Sequence, residues 1–124
     1  MTVGATYKVS DGNAVTVGPL SASVSARQVA YANSWLGIAV RGMNSGEYVA
    51  LNLRGEYSME VPASLTANVG DIICIDTTQV TGHTPNDAAY NTNAASSTNL
   101  ALMKVTQAKD ASNIVVGILL LLGG

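Results

Sequence analysis

His83, Cys74 and the carboxylates Glu56, Glu60, Asp71, Asp76 and Asp87 are the side chains with which this chain could do acid–base, nucleophilic or metal chemistry. Their spacing gives each a plainer reading as well. His83 is the only histidine and lies near Asp87, which allows a dyad. No motif frames the pair, however, and the surrounding residues are polar, so an exposed loop histidine is expected. Cys74 sits inside "DIICID", where a small buried hydrophobe is the usual role. Nothing basic stands close enough in sequence to make its thiolate reactive. Asp71 and Asp76 flank that run, and Glu56 and Glu60 stand four apart, on one side of any strand that carries both. Paired carboxylates serve proton transfer or hold a cation, but a solvated sheet face uses them equally well. "GMNSGE" (42–47) lacks the GK[ST] ending and the following helix that a phosphate loop needs. No spacing of metal ligands occurs. The reading is therefore a protein without catalytic machinery, cofactor or metal.

The aromatic side chains are Trp35 and five tyrosines, Tyr7, Tyr31, Tyr48, Tyr57 and Tyr90. Trp35 follows "YANS", which reads as a turn. Exposed there, it would mark an interface or a sugar-stacking platform; packed inward, it is core. The sequence leaves both open. With no phenylalanine, the core must be built from Val, Ile, Leu, Ala and Met.

The elements that must position these residues are strands. Short apolar segments separated by Gly, Pro, Asn, Asp and Ser recur along the chain, and helical periodicity is scarce. Strands are expected at Thr6–Val9, Ala14–Val17, Gln28–Ala32, Leu36–Val40, Tyr48–Glu60, Ile72–Asp76, Leu100–Val105 and Ile114–Leu122. In the long Tyr48–Glu60 run, Val49, Leu51 and Leu53 alternate with Ala50, Asn52 and Arg54, and Gly55 marks a bulge or a sharp bend. "MNSGE" (43–47) reads as a tight turn. The closing run Ile114–Leu122 is apolar throughout but spans only nine residues. A membrane helix needs about twenty, so a strand in a sheet covered on both faces is the expectation.

The chain also resembles itself. "VGPLSASVSARQVAYAN" (17–33) and "EVPASLTANVGDIICID" (60–76) each place proline third, then a small polar stretch, then a β-type run. Each is followed by strand, polar turn and strand, in 36–53 and in 100–119. Two related β units closing on each other as a small sandwich or partly closed barrel are expected, with little helix. The second unit carries an insertion, residues 77–99, rich in Thr, Asn, Ala and Ser, which reads as a long polar loop. Residues 1–13 read as an N-terminal arm and 14–124 as a single β domain. The arm and the loop are the expected places for partner contact, with Trp35, His83, Asn86 and Tyr90 as candidate surface or subunit contacts.

Composition limits the partners. The chain has 124 residues, is 48% hydrophobic and only 11% charged, and its net charge is −2. Its basic residues are scattered, whereas phosphate backbones demand a positive stripe, so nucleic acid is disfavoured. Neither a signal peptide nor a membrane anchor is read, which suggests a protein made in a cytoplasm and released, if at all, by lysis. A surface poor in charge has few ions to desolvate on contact with another protein.

The run 36–76 resembles the small phage head decoration, or cement, proteins. The family pattern is matched by Gly37-Ile38-Ala39, by Gly46-Glu47-Tyr48-Val49, by Gly55 through Pro62, and by Val69-Gly70-Asp71 leading to Asp76. The closing "VVGILLLL" looks like the family's last strand; the N-terminus and the long 77–99 loop depart from the pattern. The resemblance implies a virion protein that trimerises on the outer surface of the expanded head and clamps the major capsid protein. The arm residues Thr2, Val3, Ala5, Thr6, Tyr7 and Lys8 are then candidate capsid contacts, adding a strand to a capsid edge. Two other readings stay open: a tail-tube or fibre-associated β domain, and a glycan-binding module built on Trp35 and the polar loop.

Overall fold

The computed structural model describes residues 3, 5 and 13–120. The expected strand Thr6–Val9 and the last residues of the expected Ile114–Leu122 strand lie outside that range. Among the described residues, eleven strands, all paired antiparallel, form a four-stranded sheet, a five-stranded sheet and a two-stranded ribbon.

The smaller sheet contains β1 (Ala14–Val17), β2 (Val29–Ala32), β3 (Trp35–Ala39) and β4 (Val49–Asn52), in the spatial order β1-β4-β3-β2. The larger contains β5 (Glu56–Glu60), β6 (Ile72–Asp76), β9 (Tyr90–Asn91), β10 (Asn99–Gln107) and β11 (Ile114–Leu119), in the order β5-β11-β10-β6-β9. Setting β5, β6, β10 and β11 against β1, β2, β3 and β4 gives the same spatial order in both sheets. The links from first to second strand, residues 18–28 and 61–71, are equally long. The two expected β units are therefore the two sheets.

Tyr48–Glu60 does not form one strand. Its alternation is real, but the chain leaves the smaller sheet after Asn52 and enters the larger at Glu56. Gly55, at φ +119°, makes the bend, a backbone region that side chains other than glycine's rarely tolerate. Asn33 and Ser34 both take positive φ in the two-residue turn joining β2 to β3, as the right-handed twist of a hairpin requires.

The main core lies between the sheets, where Val29 and Ile38 meet Ile73, Ile75, Met103, Val105 and Val115. A second core covers the other face of the smaller sheet, joining Ala30, Ala32, Ala39, Val49 and Leu51 to Leu20 and Val24. The connections 18–28 and 40–48 close it: Val24 and Met43 exchange backbone bonds at 2.9 and 3.1 Å, and Gly46 N–H reaches Leu20 O at 2.7 Å. The smaller sheet is thus buried on both faces.

The larger sheet is not. Along β11, Val115, Gly117 and Leu119 are buried while Ile118 on the opposite face is 48% exposed. The closing run is a strand, as expected, but a continuous apolar run here does not signify burial on both faces.

Residues 77–99 are ordered by short elements instead of forming an open loop. Three-residue 3-10 turns occur at Thr77–Gln79 and Asp87–Ala89, and β7 (Val80–Thr81) pairs with β8 (Thr84–Pro85) in the ribbon. Strand β9 pairs with β6. The polar composition serves local bonding: Asn91 and Asn99 exchange side-chain amide bonds at 2.8 and 2.9 Å, and Asn99 also donates to Ala94 O.

Candidate functional site

His83 is buried, at 7% exposure, which corrects the expected exposed loop histidine. The β7–β8 turn carries it against the free side of β2. There Tyr31 N–H donates to His83 O at 2.9 Å, and Tyr31 O lies 3.0 Å from Nδ1. The other ring nitrogen, Nε2, stands 3.1 Å from Ser21 N–H. A backbone N–H can only donate and a carbonyl only accept, so Nδ1 carries the proton and Nε2 accepts. Both ring nitrogens are committed to backbone and none is directed at Asp87. His83 therefore pins the ribbon and residue 21 to the smaller sheet.

Cys74 is buried with its Sγ 3.4 Å from Asn93 O, and burial pushes its thiol up from the ordinary value, away from the reactive thiolate. Asp76 accepts from the hydroxyl and backbone N–H of Thr78 at 2.7 and 3.0 Å, which hold its carboxyl below the ordinary value. It caps the 3-10 turn that follows. Trp35 is half-buried at the start of β3, packed on the second core. Asn86 is exposed and bonds Gln79 at 3.4 Å. Tyr90 is half-buried, and desolvation, with a smaller contribution from the Asp87 charge, raises its phenol above the ordinary value. Of the arm candidates, Val3 and Ala5 are exposed, and Thr2, Thr6, Tyr7 and Lys8 lie outside the described residues. Among the described residues, no group of three His, Cys, Asp or Glu side chains is placed to hold a metal ion.

What the fold does assemble is contact surface. On the outer face of the larger sheet, Glu56, Ile118, Lys104 and Ile72 are successive cross-strand neighbours on β5, β11, β10 and β6. Ile118 and Ile72 are 48% and 40% exposed, and Val69 beside them is 66% exposed. Lys104 stands between the two isoleucines, and Leu120 and Gly70 border the same hollow. Clustered apolar exposure of this kind marks an interaction surface more often than scattered single side chains do.

The second surface is the edge formed by β5. Val61 N–H bonds Asn113 O, and Leu119 N–H bonds Gly55 O, each at 2.9 Å. Antiparallel bonding alternates by two residues, so Gly55, Tyr57, Met59 and Val61 face β11. The N–H and C=O of Glu56, Ser58 and Glu60 then point away from the sheet, where no described strand lies. Beside them opens a groove of about 580 Å³ between the two sheets. Tyr57 and Met59 form its β5 wall, Val29 and Ile38 lie at its base, and Asp87 and Tyr90 stand across it.

Neither surface was singled out from the sequence, although the carboxylates on β5 were. Glu56 and Glu60 do share a face, both exposed, and Thr106 Oγ1 donates to Glu56 at 2.9 Å. The available signal was the repeat: β5 occupies the place of β1, which among the described residues pairs on one side only.

Comparison with curated proteins and with solved structures finds no match. The family model described as phage cement protein matches residues 9–120, nearly the whole β domain and the larger sheet with its bare face. The chain belongs to the phage cement protein family.

Proposed function

We propose that this protein decorates the outer surface of the expanded phage head as a trimer and stabilises the lattice of the major capsid protein. The carrying observation is the bare outer face of the larger sheet, where Val69, Ile72 and Ile118 surround Lys104 on a chain of the cement protein family. Moving an aliphatic side chain from full exposure to full burial is worth roughly 1.5–3 kcal/mol. Half-exposed side chains offer about half of that each, which makes a single contact modest. Three linked protomers convert modest contacts into tight, geometry-dependent attachment, because only one lattice spacing lets all three engage. Discrimination between unexpanded and expanded heads follows from that spacing. The arm residues Thr2, Val3, Ala5, Thr6, Tyr7 and Lys8 are assigned to the capsid side, and Trp35 and Tyr90 to the β domain's own packing. The protein is made in the host cytoplasm and used on the capsid exterior.

The test is co-sedimentation of purified protein with undecorated heads of the cognate phage, unexpanded and expanded, with sedimentation equilibrium on the free protein. Saturable binding to expanded heads alone and a trimer mass are expected. Binding to neither form by folded protein would overturn the reading and favour a tail or glycan role. Removal of residues 1–12 tests the arm separately, with weakened binding expected; unchanged affinity would clear the arm of a capsid role.

A further inference from the structure

The open edge of β5 carries a more specific conclusion, which rests on the decoration reading above. We propose that an extended segment of the major capsid protein adds to β5 as a new strand, with Lys or Arg at the alternate positions beside Glu56 and Glu60.

The N–H and C=O groups of Glu56, Ser58 and Glu60, without a backbone partner among the described residues, form one continuous row along the larger sheet's rim. Such a row is a template for strand addition, and natural folds usually cover it. This molecule covers the comparable rim of β2 with the His83 ribbon and the rim of β6 with β9. Among the described residues β5 stays open beside a groove, and Ser58 and Glu60 line that groove.

The side chains of β5 set the chemistry of the segment. An added strand would continue the alternation of β5, whose Tyr57 and Met59 face inward and whose Glu56, Ser58 and Glu60 face outward. Its inward side chains would enter the groove of about 580 Å³ over Val29 and Ile38, whose mostly polar lining suits small or polar residues. Its outward side chains would stand beside Glu56 and Glu60 as cross-strand neighbours, where opposite charge is favourable and like charge is not. Among the groove's charged groups, Glu60 and Asp87 outnumber Arg27. With Glu56 on the same rim, the surface selects a basic strand.

Ser58→Pro separates this proposal from general surface effects. Proline removes an N–H that no described residue accepts, and edge strands accept proline at such positions. The variant is expected to keep its far-ultraviolet dichroism while binding expanded heads at least about tenfold more weakly, having lost a strand-to-strand bond and its register. Glu56→Lys with Glu60→Lys should weaken binding as well and leave folding intact. Residue-resolved hydrogen exchange on the wild type supplies a readout that does not depend on any variant. The amides of residues 56, 58 and 60 should exchange fast in free protein and slowly on saturated heads. Folded Ser58→Pro protein that binds like the wild type, or exchange at those amides unchanged by heads, would overturn the proposal. Protection already present in the free protein and lost on dilution would assign the edge to a second copy and overturn the capsid source. Wild-type protein that fails to bind any head would instead overturn the decoration reading, and this proposal with it.

Discussion

The two β units share a strand order but treat their outer faces oppositely. In the first unit, connections 18–28 and 40–48 fold back over the sheet, and Val49 and Leu51 become fully buried beneath them. In the second, the corresponding connections leave Ile72 and Ile118 exposed. The first sheet carries aliphatic side chains on both faces, whereas the outer face of the second mixes Ile72 and Ile118 with Glu56, Ser58, Glu60 and Lys104. The first satisfies both faces by itself. The second satisfies one and leaves Ile72 and Ile118 on the other exposed, the feature on which the proposed assembly rests.

Breaking the first unit should cost the most stability. Leu51→Ala empties a fully buried site in the second core and is expected to destabilise the fold by about 2–5 kcal/mol, read by chemical denaturation. His83→Ala comes next. It leaves Tyr31 O and Ser21 N–H without their side-chain partner, a loss of about 2–3 kcal/mol with no change in secondary structure content. Gly117→Ala tests the packed face of the second unit. A Cβ there would lie 2.6 Å from Met103 Sδ and 2.9 Å from Lys104 O, and the backbone oxygen has little freedom to retreat. About 1–3 kcal/mol of destabilisation is expected.

Ile118→Asp sharpens the comparison from the bare side. It should change stability by within about 0.5 kcal/mol, as exposed substitutions do, while reducing head binding or trimer mass. A large stability loss together with normal assembly would make the two faces equivalent. The smallest effect concerns Asp76, whose carboxyl is held below its ordinary value by Thr78. A lowered folded-state value means the stabilisation is present above the ordinary carboxylate range and lost as pH falls through the folded value. Asp76→Ala should therefore flatten the acid limb of a melting-temperature profile, below about pH 4, and leave the neutral region nearly unchanged.

The legible parts of the sequence were those governed by local pattern. Ala14–Val17 and Ile72–Asp76 form strands with the expected bounds, and the doubled arrangement of 17–53 and 60–119 survives as two sheets with one strand order. The sheet change within Tyr48–Glu60 was hidden because both halves keep one face on a core, so alternation continues across the bend at Gly55. Residues 77–99 read as a loop because composition registers their Thr, Asn and Ser but not the partners those residues find. The bonds from His83 to Tyr31 and to Ser21 span 52 and 62 residues, a distance no local pattern encodes. The bare face was invisible for a related reason. Ile118 and Val115 look alike in sequence, and only the absence of a covering connection distinguishes them.

The most direct test is a reconstruction by electron cryomicroscopy of expanded heads saturated with the protein, compared with undecorated heads. The account predicts added density in threes on the outer surface. Ile72, Ile118 and the β5 edge should be covered by protein, and the closed outer face of the first unit should remain in solvent. Density that leaves the larger sheet's outer face and the β5 edge bare to water would contradict it.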